Sequence, residues 1–107
     1  MKAAVLGATG YTGQVLIRIL AEHPEVSEIV AVSSSQAGTP VRTADPGLPP
    51  AIDAKIPGGL LVDAAVAAKA AASRSLDVVF SALPHLASAK ACEPFFGAAV
   101  EIGRAHV

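Results

Sequence analysis

Gly7, Gly10 and Gly13 recur at three-residue intervals in Gly7-Ala8-Thr9-Gly10-Tyr11-Thr12-Gly13. The residues before them, Ala3 to Leu6, form a short continuous apolar run. Those after them carry apolar side chains at helical spacing. A glycine turn between a buried strand and a helix is suited to hold a phosphate. The first amides of a helix have no intrahelical acceptor and carry a partial positive charge. Glycine lets the backbone approach the anion closely. Gly7 is assigned to the tight turn, Gly10 to close phosphate approach, and Gly13 to close packing of helix on strand. Thr9 and Thr12 can add hydroxyl donors, and Tyr11 completes the turn. The alternative is a turn that only joins two elements. The strand before it and the helix after it favour nucleotide binding. The pattern is G-x-x-G-x-x-G rather than G-x-G-x-x-G, a variant typical of NADP-using families.

A second group of residues bears on which cofactor this is. In the NAD pattern an acidic residue about 20 positions on holds the ribose 2′-hydroxyl. Here the second apolar run, Ile29 to Val32, leads into Ser33-Ser34-Ser35-Gln36, with no carboxylate. A carboxylate would repel a 2′-phosphate, whereas serine hydroxyls can donate to it. NADP is therefore expected over NAD, with Ser33, Ser34 and Ser35 at the adenosine end. Arg42 would add a positive charge if its loop folds back. The plain alternative for the serine run is a solvated loop.

These groups need elements to position them. Ala3 to Leu6 reads as a strand buried on both faces. Val15, Leu16, Ile19 and Leu20 recur at helical spacing with Gln14, Arg18 and Glu22 between them. This predicts an amphipathic helix from about Tyr11 to Glu22 with those four on its apolar face. His23-Pro24 ends it, and His23 suits a helix C-terminus. Ile29 to Val32 is the second strand, completing a βαβ unit whose crossover should be right-handed. From Ser33 to Gly59 the chain holds five prolines and four glycines, which predicts a long loop with a short strand near Ala51–Ile56. Ala64 to Ala72 is nearly all alanine and should be a helix packed closely on the sheet. Asp77 to Ala82 is the cleanest strand, broken by Leu83-Pro84-His85. A helix is expected over Leu86 to Phe96, kinked or ended by Pro94, and a last strand over Ala98 to Ile102. The expected fold is α/β, a Rossmann-type doubly wound parallel sheet of about four strands.

Composition narrows the function. A chain of 107 residues holds one domain at most. At 52% hydrophobic and 16% charged it is too apolar for disorder. It is also more apolar than a free-standing small domain needs, so some surface is expected to lie against further protein. The net charge of -1, with no basic stripe, gives no pointer to nucleic acid. No apolar run approaches the roughly 20 residues that span a bilayer, and the apolar start breaks at Gly7, too early for a signal peptide. One cysteine, Cys92, excludes an internal disulfide and fits a reducing cytoplasm.

Four blocks in order carry a family resemblance: Gly7 to Gly13, His23-Pro24-Glu25-Val26, Ser33-Ser34-Ser35-Gln36-Ala37-Gly38, and Asp77-Val78-Val79-Phe80-Ser81-Ala82-Leu83-Pro84-His85. The series resembles the N-acetyl-gamma-glutamyl-phosphate reductase family of semialdehyde dehydrogenases over residues 1 to about 100. Aspartate-semialdehyde dehydrogenases are similar at the first and last blocks, and are the first alternative. Tyr11-Thr12 and His85 tilt toward the glutamyl-phosphate enzymes. A short-chain dehydrogenase or epimerase shares the Gly-Ala-Thr-Gly start, but Leu83-Pro84-His85 does not suit it. The alternative from another class is a non-catalytic NADP-sensing module.

The resemblance implies a two-domain oxidoreductase of arginine biosynthesis, cytoplasmic and homo-oligomeric. Its reaction is NADPH-dependent reduction of an acyl phosphate to a semialdehyde, through a cysteine thioester with a histidine acid/base. Splitting the reaction through a thioester makes hydride acceptance easier. By the same resemblance Ala82, Leu83 and Pro84 line the cofactor site. The nucleophilic cysteine and the histidine belong beyond residue 107, so no catalytic residue is assigned here and the fragment alone is expected to be inactive. Cys92, inside an expected helix, reads as a structural thiol. His85 either faces the cofactor or serves positioning only.

The domain is expected over residues 1–100, truncated before the catalytic part. Where the family leads into an Asp-Leu-Ser-like segment, this chain reads Glu101-Ile102-Gly103-Arg104-Ala105-His106-Val107. That heptapeptide resembles the translation of a common sequencing-adapter oligonucleotide, so 101–107 is expected to be a non-native tail.

Overall fold

The computed structural model describes residues 1–48, 52, 55–72, 76–83 and 101–104. Strand β1 spans Lys2–Leu6, helix α1 Tyr11–Glu22 and β2 Glu28–Val32. A single helical turn, α2, covers Val41–Ala44, and a 3-10 turn covers Pro57–Gly59. Helix α3 spans Ala64–Ala72, β3 Val78–Ser81 and β4 Glu101–Arg104. The strands form one parallel sheet in the order β2-β1-β3-β4.

The topology explains why β1 is apolar from Ala3 to Leu6. It is flanked by strands on both edges and by a core on both faces, so Ala3, Ala4, Val5 and Leu6 are all buried. Ala3 and Val5 face a core shared with Ile17, Leu20 and Ala21 of α1. Ala4 and Leu6 face a second core with Ala67 of α3, Leu76 and Val79. Helices α1 and α3 thus pack on opposite faces. After β2 the chain crosses back past β1 to pair as β3 on its other side, so the connections leave the β1–β3 junction in opposite directions.

The rotation of α1 differs from the expected one. Its buried residues are Gly13, Ile17, Leu20 and Ala21, while Val15 is 40% and Ile19 59% exposed. The cause is Gly13. A Cβ there would overlap the Gly7 carbonyl oxygen and come within 2.9 Å of Ala8 Cα. Position 13 must therefore face the turn, and positions 17, 20 and 21 follow it onto the sheet.

The segment 33–59 is also more than a surface loop. Val41, Leu48, Ile52 and Ile56, with Leu61, are buried in the α1-side core. Apart from Leu61, these residues are scattered among prolines, glycines and polar groups, so no periodicity betrays them. The short strand expected near Ala51–Ile56 is not formed where the chain is described: the Lys55 and Ile56 amides both donate to the Ile52 carbonyl, closing a turn. The extended partner of β2 is instead Val62, which accepts from Ser33 N–H and donates to Ala31 C=O.

Strand β4, Glu101–Arg104, runs two residues past the expected end at Ile102 and pairs with β3 through Val78↔Glu101 to Ser81↔Arg104, while 98–100 lie outside the described residues. It falls in the segment set apart on sequence grounds as a tail. The expected helix over 86–96, and with it Cys92, lies outside the described residues, as do Pro84, His85 and His106. Among the described residues no helix is long and apolar enough to cross a membrane, and no cluster of His, Cys, Asp or Glu could hold a metal.

Candidate functional site

The carboxyl ends of β1, β2 and β3 meet at the point where the connections diverge, the usual place for a ligand in an open α/β sheet. A cleft of about 360 Å³ lies there. Its floor is Leu6, Val32 and Ala82; the glycine turn forms one wall, with Gly7, Thr9 and Gly10; Ser33, Ser34 and Ser35 form another. Ala64, the first residue of α3, and Leu83 complete it.

The turn is held in shape by main-chain bonds. Gly7 has φ +78°, the left-handed region. A Cβ on it would also come within 2.9 Å of Leu83 Cδ2. Ala8 N–H donates to Val32 C=O at 3.0 Å, tying the turn to the end of β2. Gly10 N–H donates to Gly7 C=O at 3.1 Å. Gly10 is the N-cap of α1, with φ -74° and ψ 166°, and no side chain caps the helix. The amides of Tyr11, Thr12 and Gly13 thus open α1 with no acceptor among the described residues. The first turn of α1 holds no acidic residue, and among the described residues no carboxylate lines the cleft. Such a wall of uncapped donors attracts an anion.

The serine run is anchored just as firmly at its start. Ser33 is buried, its N–H donates to Val62 C=O at 2.9 Å, and its Oγ accepts from Gln36 N–H at 3.2 Å. With that oxygen already an acceptor, the hydroxyl proton remains for a partner. Ser34 and Ser35 are exposed at the cleft. Arg42 does not line the cleft; its guanidinium donates to Leu48 C=O at 3.0 Å, because α2 turns it into its own loop.

Of the residues expected at the site, Gly7, Thr9, Gly10, Ser33, Ser34, Ser35, Ala82 and Leu83 line one cleft. Tyr11 and Thr12 stand beside it on the first turn of α1, and Tyr11 is 78% exposed. Gly13 lies beneath the turn as a packing residue. Pro84 is outside the described residues. Sequence reasoning missed Ala64 and Val62. Val62 pins the serine run to β2, and only its β-branched, apolar neighbourhood before Asp63 hinted at an extended segment. It also missed Gln14, whose Nε2 donates to Thr9 C=O at 3.1 Å. Away from the cleft, Arg18 makes a two-point ion pair with Asp45, at 2.7 Å (Nη2–Oδ1) and 3.2 Å (Nε–Oδ2). That pair fastens the α2 segment to α1.

Residues 2–102 match the model of the semialdehyde dehydrogenase NAD-binding domain. The chain is 42% identical over 100 residues to a Pyrococcus furiosus protein provisionally named LysW-L-2-aminoadipate/LysW-L-glutamate phosphate reductase; the match covers 92% of this chain and 26% of that protein. It is 39% identical over 95 residues to N-acetyl-gamma-glutamyl-phosphate reductase of Citrifermentans bemidjiense, covering 89% and 25%. Against the enzyme of that name from Frankia casuarinae the identity is 41% over 86 residues, covering 80% and 22%. The chain spans about a quarter of the length of the curated relatives it matches.

Proposed function

The chain belongs to the semialdehyde dehydrogenase NAD-binding family, and on that premise we propose that it is the NADP-binding part of an acyl-phosphate reductase. The whole enzyme would reduce N-acetyl-gamma-glutamyl phosphate with NADPH, giving N-acetylglutamate semialdehyde, inorganic phosphate and NADP. The names of the relatives support this reading. The Pyrococcus relative supports a second substrate, the corresponding LysW-bound acyl phosphate. This chain's residues bind and orient the cofactor; the groups that attack substrate belong to the part of the relatives it does not cover.

One observation carries the cofactor assignment: uncapped amides and serine hydroxyls share a cleft that, among the described residues, no carboxylate lines. The amides of Tyr11, Thr12 and Gly13 would take the pyrophosphate, and Ser33, Ser34 and Ser35 the 2′-phosphate. The site fits the group, since Gly10 lets a phosphate approach its Cα and Ser33 keeps a hydroxyl proton to donate. Bound there, the cofactor supplies hydride at its nicotinamide end. The same reading places the full-length protein in the cytoplasm and in a homo-oligomer. The exposed Val15 and Ile19 on α1 support the second.

Calorimetric titration of the chain with NADPH and with NADH tests this. NADPH should bind at least about tenfold more tightly, the equivalent of one charge-assisted hydrogen bond. A folded chain that binds neither, or prefers NADH, overturns the assignment.

A further inference from the structure

The peptide plane between Thr9 and Gly10 is fixed at both ends. Its N–H donates to Gly7 C=O at 3.1 Å. Its C=O accepts from Gln14 Nε2 at 3.1 Å. Thr9 stands before the N-cap, so this carbonyl lies outside the main-chain ladder, which begins with Gln14 N–H donating to Gly10 C=O at 2.9 Å. The Gln14 side chain supplies the donor that the ladder does not, and the amides of the first turn stay without intrahelical acceptors, as in any helix. Gly10 follows this plane, and glycine offers the least resistance to rotating a peptide. If the plane rotated, the Thr9 oxygen would turn its negative end toward the anion wall of the cleft.

Resting on the cofactor reading above, we infer that Gln14 is a positioning residue for the phosphate-binding turn. Its side-chain amide holds the Thr9–Gly10 peptide in the orientation that presents donors, and no acceptor, to the pyrophosphate. Gln14 does not line the cleft and touches no ligand itself. Its effect should be confined to ligands that carry a phosphate at the 5′ side. Adenosine 2′-phosphate, which lacks that phosphate, would be held by the serine run and should not sense Gln14.

The test uses Gln14→Met and Gln14→Glu. Both keep the length of the side chain and favour a helix about as well as glutamine, and the site is only partly buried. NADPH affinity is measured by calorimetry, adenosine 2′-phosphate affinity by NMR titration, and folding by thermal melting. Gln14→Met should weaken NADPH about tenfold, the worth of one lost hydrogen bond at a site that must stay ordered. Gln14→Glu should weaken it further, since its carboxylate repels both the Thr9 oxygen and the pyrophosphate. Adenosine 2′-phosphate should bind all three proteins alike. Unchanged NADPH affinity overturns the inference, as does equal weakening of both ligands, which would mark a general loosening of the fold. If the wild-type chain binds adenosine 2′-phosphate but not NADPH, or binds neither, the cofactor reading has failed first. Should one variant not fold, the other carries the comparison.

Discussion

Replacing Gly13 with alanine separates packing from ligand contact in the glycine turn. The new Cβ would overlap the Gly7 carbonyl oxygen and lie 2.9 Å from Ala8 Cα and from the Gly7 carbonyl carbon. All three are backbone atoms. The turn that carries them is tied to β2 by Ala8 N–H to Val32 C=O at 3.0 Å, and β1 to the end of β3 by Ala82 N–H to Leu6 C=O at 2.9 Å. The turn has little freedom to give, so α1 must back away from the sheet and loosen Ile17 and Leu20 in the core. Overpacking of this kind costs about 1–3 kcal/mol, and more where backbone must move. Alanine returns up to about 1 kcal/mol of helix propensity. A net loss of about 1–2 kcal/mol remains, which for a domain of this size lowers Tm by roughly 5–15 °C. The control is Gly10→Ala. Its Cβ would meet only the Gly7 oxygen, at an ordinary 3.6 Å, and its φ and ψ suit alanine. Gly10→Ala should change Tm by no more than the loss of a mild N-cap preference, about 1 kcal/mol, yet weaken NADPH binding by at least about tenfold. Thermal melting by circular dichroism and calorimetric titration of both variants check this. A Gly13→Ala protein as stable as wild type would refute the packing argument, and a Gly10→Ala protein with full NADPH affinity would refute the ligand argument.

Two further outcomes are expected. Ser34→Asp places a carboxylate on the exposed wall of the cleft, where it should repel a 2′-phosphate and accept from a 2′-hydroxyl; the ratio of NADPH to NADH affinity should fall by about tenfold or more, and an unchanged ratio would remove the serine run from the site. Arg18→Ala leaves the Asp45 carboxylate, whose side chain is only 10% exposed, without its two-point partner; urea unfolding should show a loss of about 1–3 kcal/mol, exceeding that of Asp45→Ala, which leaves an arginine 47% exposed to water.

Much of this protein is legible in the sequence because the deciding physics is local. A short apolar run rich in β-branched residues or closed by glycine reads as a strand covered on both faces, so β1, β2 and β3 are placed by Ala3–Leu6, Ile29–Val32 and Val78–Ser81. Alanine propensity marks α3, and His23-Pro24 ends α1. Three glycines at a strand-to-helix junction mark the turn that opens α1 with uncapped amides. The chemistry of a turn depends on its own few residues, and these are contiguous.

What the sequence left undetermined depends on contacts between distant segments. The period of 3.6 fixes that α1 is a helix but not which stripe it buries, since Val15 and Ile19 are as apolar as Ile17 and Leu20. The meeting of Gly13 with Gly7 decides that, although a packing role for Gly13 already implied positions 17 and 20. The buried residues of the segment 33–61 follow no period, because an irregular backbone points each side chain separately; only the space under α1 selects Val41, Leu48, Ile52 and Ile56. The partnership of Val62 with Ser33 spans 29 residues, and the bond from Gln14 to Thr9 depends on where the helix starts. Local sequence supplied the donors of the site, and the tertiary structure aimed them, because direction is set by what each backbone group is tied to.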